Sequence, residues 1–392
     1  MTTRRIKIGN LYIGGSQPVV VQSMCATKTR NIEATALAVN ALSDAGAGII
    51  RVAVDTPDDA HALAEIRKRT KANLSVDLQE NYRLAEQVAL FVDKIRYNPG
   101  HLHHTEPERD WREKVRWLCA VASDNDVALR IGINCGSIDP AQKAAVAGQH
   151  EEKSAQGTEQ ASGQVWPQAD AFYDPLLQSA LEHADFLDSI GFTRYCVSIK
   201  DSDPETVIAV NRRFRTLRPE IPLHLGVTEA GMPPVGVLKS RWALERLLAD
   251  GIGETLRVSL TVESDRKFEE VEAGKLILAN VAAGTIYDSS RRPLPMLNIV
   301  SCPSCSRVEN GAFVALAQEV RQATAFASDV PLTIAVMGCR VNGPGETDDA
   351  DFGLWCGADR VNFKIGGESA GSWPYEKIVG VLVERIRQRI GK

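Results

Sequence analysis

The sequence predicts an α/β protein: an N-terminal TIM-type (β/α)8 barrel followed by a smaller C-terminal α/β domain. Three observations carry this. Short apolar, β-rich runs recur eight times over about 270 residues, and most of the gaps between them hold an amphipathic helical pattern. After a Pro- and Arg-containing linker the alternation of strand and helix restarts on a smaller scale. The full length of 392 residues suits a large barrel plus an appendage. A doubly wound sheet is the alternative, but eight units match barrel closure better.

Taken in order, residues 4–15 alternate around Gly9-Asn10, with Ile6, Ile8, Leu11 and Ile13 on the pattern, which predicts a hairpin. The eight runs follow at Val19–Met24, Ile49–Val54, Leu74–Leu78, Lys94–Asn98, Leu129–Asn134, Tyr195–Lys200, Leu223–Thr228 and Leu256–Thr261. Helical patterns lie at Ile32–Ala45, Pro57–Thr70 and Arg241–Asp250, and Lys267–Ala283 reads as the eighth helix. Residues 140–166, rich in Ala, Gln, Glu, Ser and Gly, have no periodic apolar face and read as a surface excursion, with a lid over the barrel mouth as the alternative. Asp288–Pro295 is the linker. Beyond it come a strand at Leu297–Val300, a helix over Asn310–Phe326, strands at Leu332–Val336, Phe352–Cys356 and Val361–Lys364, and a closing helix with Ser372 as its cap and Pro374 in its first turn. The expected domains are therefore 1–285 and 297–392.

The formal charge of -5, with no lysine-rich block or basic helix face, argues against general nucleic-acid binding. No apolar run is long enough to span a membrane, and the opening Arg pair has no apolar segment after it, so a cytoplasmic location is expected. Eight cysteines in such a chain read as metal or core residues rather than a disulfide framework. Cys25, Cys119, Cys135 and Cys196 lie in or beside apolar runs and are expected to fill the core.

Cations inside the barrel runs are what a purely structural pattern does not explain. Arg51, Arg96, Arg130, Lys200 and Arg257 sit in or at the ends of five different strands. Buried cations without partners are costly, so their convergence implies an anion between them, and guanidinium groups bind phosphate in forked pairs. Polar residues collect at the same strand ends: Asp77, Asn98, Asn134, Thr228, Glu229, Ser259 and Thr261, with His224 within the seventh strand. Glu229 is the candidate acid or base, since a carboxylate beside bound phosphate would have its pKa raised towards a useful range. His61, His101, His103, His104, His150 and His183 are expected on the solvated surface.

The C-terminal domain carries Cys302-Pro303-Ser304-Cys305 and Cys339, with Glu346 after a Gly-Pro-Gly loop. Three soft thiolates on two loops suit zinc or an iron–sulfur cluster. A carboxylate is a poor fourth ligand for closed structural zinc. On a cluster, such a weak oxygen ligand would leave one iron exchangeable and free to meet a substrate oxygen.

At this point the residues resemble a known family. Gln22-Ser23-Met24 with Thr27, Thr29 and Arg30, then Ile95-Arg96-Tyr97-Asn98-Pro99-Gly100, Arg130-Ile131-Gly132-Ile133-Asn134, His224-Leu225-Gly226-Val227-Thr228-Glu229-Ala230-Gly231, Ser301-Cys302-Pro303-Ser304-Cys305 and Asn342-Gly343-Pro344-Gly345-Glu346 are similar to the motifs of the two-domain bacterial 4-hydroxy-3-methylbut-2-enyl diphosphate synthases of the non-mevalonate isoprenoid pathway. The motifs occur in family order along nearly the whole chain. The resemblance implies a barrel that binds 2-C-methyl-D-erythritol 2,4-cyclodiphosphate and a [4Fe-4S] cluster on Cys302, Cys305, Cys339 and Glu346. Arg51, Arg96, Arg130, Asn134, Lys200, Thr228, Arg257 and Ser259 match positions that hold the diphosphate, and Glu229 matches a carboxylate near the reacting carbons. Ferredoxin or flavodoxin would feed a two-electron reductive ring opening. A homodimer is implied, the cluster domain of one subunit closing over the barrel of the other. Departures stand at Gln79, where the family usually has His, and at Cys25, Ala26 and Lys28. The competing reading is a phosphate-binding barrel transferase of the pterin-synthase kind with a zinc-stapled tail.

Overall fold

The structure, a computed structural model, describes residues 2–79, 81–135, 170–291, 293–339 and 343–391. A short antiparallel hairpin opens the chain, β1 (Ile6–Ile8) and β2 (Leu11–Ile13), with Ile8 opposite Leu11. Gly9 takes φ +57° in its turn, where a Cβ would lie 2.2 Å from Asn73 Oδ1, so only glycine fits. Ile6, Ile8 and Ile13 pack with Ile49, Ala128 and Cys196 and plug the N-terminal end of the barrel.

The barrel strands are β3 (Val20–Met24), β4 (Ile49–Ala53), β5 (Leu74–Leu78), β6 (Lys94–Tyr97), β7 (Ala128–Asn134), β8 (Tyr195–Lys200), β9 (His224–Leu225) and β10 (Thr255–Leu256). They are parallel and ordered β8-β7-β6-β5-β4-β3-β10-β9, and a parallel bridge from Val197 to Leu223 joins the two ends. Nearly every strand residue is buried, which is why strands covered by helices outside and side chains inside read as continuous apolar runs. The last two strands hold only two ladder residues each. Their expected continuations bond to loop carbonyls instead, Thr228 N–H to Asp201 O at 2.9 Å and Thr261 N–H to Gly231 O at 3.1 Å. The helix expected over Arg241–Asp250 starts earlier, at Val235. Gly236 hides its first turn in the sequence but is required there, since a Cβ would meet Gly231 O at 2.5 Å.

The C-terminal sheet is β11 (Asn298–Ser301), β12 (Thr333–Met337), β13 (Phe352–Cys356), β14 (Arg360–Ile365) and β15 (Glu368–Pro374), adjacent in chain order; β11 to β13 are parallel and the rest antiparallel. Helices Ala312–Ala323 and Tyr375–Ile390 share its core. The edge strand β15 has no apolar alternation and was not expected from the sequence. Ser372 lies within it, opposite Asn362, and so is not the cap of the closing helix; Pro374 occupies that position. Residues 140–166 lie outside the described residues.

Two histidines expected at the surface are buried. His183 stacks on Trp111 and bonds to the Tyr97 hydroxyl at 3.1 Å, and burial pushes its pKa down to about 3. His101 is buried as well, whereas His61, His103 and His104 are exposed.

Two backbone links seat the second sheet on the C-terminal end of the barrel. Ser301 N–H donates to Glu229 O at 3.2 Å, and Ala230 bridges Ser301 in parallel register. The Thr261 hydroxyl adds contacts to Ser301 Oγ at 2.7 Å and Cys302 O at 2.9 Å. Among the described residues no helix is long and apolar enough to cross a membrane.

Candidate active site at the barrel mouth

A barrel presents its site at the C-terminal ends of its strands, and here those ends meet the loops of the second domain. One cavity, about 680 Å³ with its open mouth included, is lined by Arg51, Asp77, Arg96, Arg130, Asn134, Lys200, Thr228, Glu229, Arg257 and Ser259 from the barrel and by Cys302, Cys305 and Cys339 from the second domain. Thiols and basic ring thus meet within one chain, where the resemblance implies a meeting between two. His224 does not line the cavity. It is buried beneath it, 3.2 Å from Lys200 Nζ and 2.7 Å from Thr255 Oγ1.

The ring is held by neutral acceptors together with two buried carboxylates, Asp77 beside Arg96 and Glu270, whose Oε2 lies 3.5 Å from Arg257 Nη2. Arg51 donates through Nε and Nη2 to Met24 Sδ at 3.1 and 2.9 Å, a weak acceptor, and its Nη1 lies 4.0 Å from Asp77 Oδ2. Arg96 donates to Gly132 O at 2.6 Å and to Gln79 Oε1, and reaches Asp77 Oδ1 at 2.9 Å. Gly132 is obligatory, since a Cβ there would lie 2.1 Å from Arg96 Nε. Arg130 Nε and Nη1 and Arg257 Nε are buried with no hydrogen-bond partner among the described residues. Burial, followed by the repulsion of Arg96, pushes Arg130 down to about 10. Burial and the surrounding guanidinium groups likewise push Lys200 well below the ordinary lysine range. Cations held in this state bind an anion strongly, because it relieves their repulsion and satisfies their orphaned donors together. Asp77 works as a counter-ion: although its burial opposes charge, the Arg96 and Arg51 guanidinium groups hold its carboxyl well below the usual range.

Of three neighbouring carboxylates, Glu229, Glu346 and Asp201, only Glu229 lines the cavity. Glu229, 1% exposed, adopts φ +43°, a conformation non-glycine residues seldom take, and accepts a hydrogen bond from the Thr228 hydroxyl. Glu346, on the short helix Gly343–Asp348, accepts from the Cys135 thiol at 3.4 Å. Burial raises its pKa well above the carboxylate range, and Glu229 and Asp201 add to the shift. Burial brings Asp201 itself up to about 6.

Cys302 and Cys305 enter on the loop after β11 and Cys339 on the loop after β12. Burial raises the Cys302 pKa, and after it the nearness of Cys339 and Cys305, so the three thiols lie within electrostatic reach of one another. Gly338 N–H donates to Cys302 Sγ at 3.4 Å, the kind of bond that cluster sulfurs receive. Among the described residues no three such groups converge closely enough to grip a single metal ion. The donor set, three thiols on one cavity wall with a carboxylate on the adjoining helix, fits an iron–sulfur cluster in its chemistry.

Sequence reasoning assigned no site role to Ser198 and Arg307, which line the cavity, or to Cys135, which bonds to Glu346; Met24 and Gln79, noted there only as motif positions, line the cavity too. Arg307 was legible only as the cation following Cys305. Cys135, one residue past Asn134, is half-buried: it packs against the barrel core and also bonds to Glu346 across the domain junction, while Cys25, Cys119 and Cys196 are buried as expected.

Residues 3–275 match the GcpE TIM-barrel domain and residues 298–388 the GcpE protein C-terminal domain. The chain is 53% identical over 384 residues to a Rhodopirellula baltica protein named 4-hydroxy-3-methylbut-2-en-1-yl diphosphate synthase (flavodoxin), covering 98% of this chain and 95% of that one. Proteins of the same name from Symbiobacterium thermophilum and Nitratiruptor sp. are 36% and 35% identical, covering 99% and 98% of this chain and 93% and 97% of theirs. Among solved structures, a dihydropteroate synthase from Xanthomonas albilineans with 4-aminobenzoic acid overlays with a TM-score of 0.47 at 13% identity, covering 73% of this chain and all of that one.

Proposed function

We propose that this chain, which belongs to the GcpE family, reductively opens 2-C-methyl-D-erythritol 2,4-cyclodiphosphate to (E)-4-hydroxy-3-methylbut-2-enyl diphosphate, as an iron–sulfur oxidoreductase of isoprenoid biosynthesis. The observation that carries this reading is the single cavity lined by both the basic ring and the three thiols. Flavodoxin, which the relatives' names carry, is the proposed electron donor. Two electrons and two protons enter, the ring C–O bond to phosphate breaks, and the hydroxyl leaves as water.

Residues 1–285 form the proposed diphosphate-binding unit and residues 297–392 the cluster-bearing unit. Arg51, Arg96, Arg130, Lys200 and Arg257 hold the diphosphate, and the forked guanidinium groups fix its orientation as well as its charge. Asn134, Thr228 and Ser259 add directed hydrogen bonds at the rim of the ring. His224 stays beneath, its Nε2 against Lys200 Nζ, and sets where the ammonium points. Asp77 keeps Arg96 aimed at the cavity. Glu229, which lines the cavity with the ring, moves a proton at the departing hydroxyl oxygen. Cys302, Cys305, Cys339 and Glu346 would hold a [4Fe-4S] cluster, which supplies the electrons and a Lewis-acidic iron when bound.

The test is anaerobically prepared protein given cyclodiphosphate and reduced flavodoxin. Brown protein that forms the linear diphosphate supports the reading; colourless protein holding one zinc, without turnover, sinks it.

A further inference from the structure

Arg307 belongs to the loop that presents Cys302 and Cys305, two residues past the second thiol, yet its guanidinium bonds to the barrel. Nε and Nη2 fork onto the two Asp55 carboxylate oxygens at 2.8 Å each, and Nη1 reaches Asp77 Oδ2 at 3.1 Å. Nη2 also donates to Asp77 O at 3.1 Å. Its side chain is 9% exposed and that of Asp77 3%, while that of Asp55 keeps 29%, so the bidentate pairing is desolvated on its arginine side and is no fully solvated surface bridge. Asp55 and Asp77 stand at the ends of adjacent strands β4 and β5, and the other oxygen of Asp77 holds Arg96 at 2.9 Å. One carboxylate therefore ties the thiol loop to the basic ring.

Arg307 and Cys339 also line a second, larger opening with Lys28, Arg30, Asp59 and Glu309, so the guanidinium forms part of the wall between that opening and the candidate active site. At the other end of the loop, Lys267 Nζ donates to Pro303 O and the Ser304 hydroxyl to Val262 O. Removing Arg307 would loosen one side of the loop without releasing the other.

We propose that Arg307 is a positioning residue: by straddling Asp55 and Asp77 it seats the thiol loop over the basic ring and sets how closely the thiols approach the bound substrate. This rests on the proposed function of the cavity. An ion pair that merely stabilises the fold would alter the melting point and leave turnover of folded enzyme alone, whereas a displaced loop changes the reaction step.

The experiment compares Arg307→Ala, Arg307→Asp and the exchange Arg307→Asp with Asp55→Arg, all as anaerobic holoenzyme. Arg307→Ala is expected to lower kcat at least about tenfold with KM for the cyclodiphosphate held within about threefold. Iron content should stay unchanged while amide hydrogen exchange speeds up at Ser301 and Val308. The exchanged pair is expected to recover turnover relative to Arg307→Asp alone. An Arg307→Ala enzyme with the parent's kcat, or an exchanged pair no better than the single variant at equal iron content, overturns the proposal. Should the parent enzyme itself fail to turn over cyclodiphosphate, the proposed function fails, and unchanged amide exchange in Arg307→Ala then overturns the positioning role separately.

Discussion

The Cys135 thiol donates to Glu346 Oε1 across 3.4 Å, joining the end of β7 to the helix Gly343–Asp348 of the other domain. A cysteine whose sequence context predicts core filling thus orients the carboxylate proposed as the fourth cluster ligand. Cys135→Ala should cost no more than about 1 kcal/mol, the worth of one weak hydrogen bond, and leave the iron content intact. Thermal unfolding with iron analysis checks this. A drop in bound iron would show that Cys135 does more than orient Glu346.

Arg130 lies in the ring with two orphaned donors, and burial and Arg96 already disfavour its charge. Replacing it with methionine should leave the melting point unchanged or raised, because an uncompensated buried cation is lost. Cyclodiphosphate affinity should fall by about 10- to 150-fold, the equivalent of ~1.5–3 kcal/mol for a hydrogen bond to a charged group. Calorimetry on the two proteins separates these effects; a lowered melting point with unchanged affinity would make Arg130 structural.

Glu346→Gln removes the negative oxygen and keeps the shape. The three thiols should still bind iron, while turnover falls at least about a hundredfold, a loss of ~2.7 kcal/mol or more in transition-state stabilisation. Cys339→Ser, by contrast, should lose both the visible absorbance and the activity. Equal activity in Glu346→Gln and the parent enzyme would remove Glu346 from the ligand set.

Lys94 is buried in the barrel core against Gln22 Oε1 at 2.6 Å, and burial pushes its pKa down from 10.5 to about 7. Between those two values the unfolded chain holds a proton that the folded chain releases, so stability rises with pH. This contribution is complete above the unfolded value and is lost as pH falls through the folded one. The parent protein should therefore gain on Lys94→Met by up to about 1.4 kcal/mol per pH unit between pH 7 and 10. Denaturant titrations at several pH values read the difference, and a flat one would mean Lys94 does not titrate there.

Much of this was legible in the chain. The barrel strands were readable because residues buried on both faces leave continuous apolar runs, and the cations of the ring stood out as breaks in those runs. The thiols were readable by their spacing. β15 was not, since an edge strand needs no apolar alternation. His183 was not either: its burial depends on Trp111 and Tyr97, far away in sequence.

By itself the sequence determined the barrel, the five cations inside it and the three thiols beyond it, because hydrophobic period and residue chemistry are local properties. Only the tertiary structure decided which groups face one another. It placed thiols and ring on one cavity within one chain and Arg307 across Asp55 and Asp77. It also set Glu346 against Cys135 and His224 beneath the ring. Each of these contacts joins residues on separate elements, and its energy depends on burial and charge that exist only once those elements have packed.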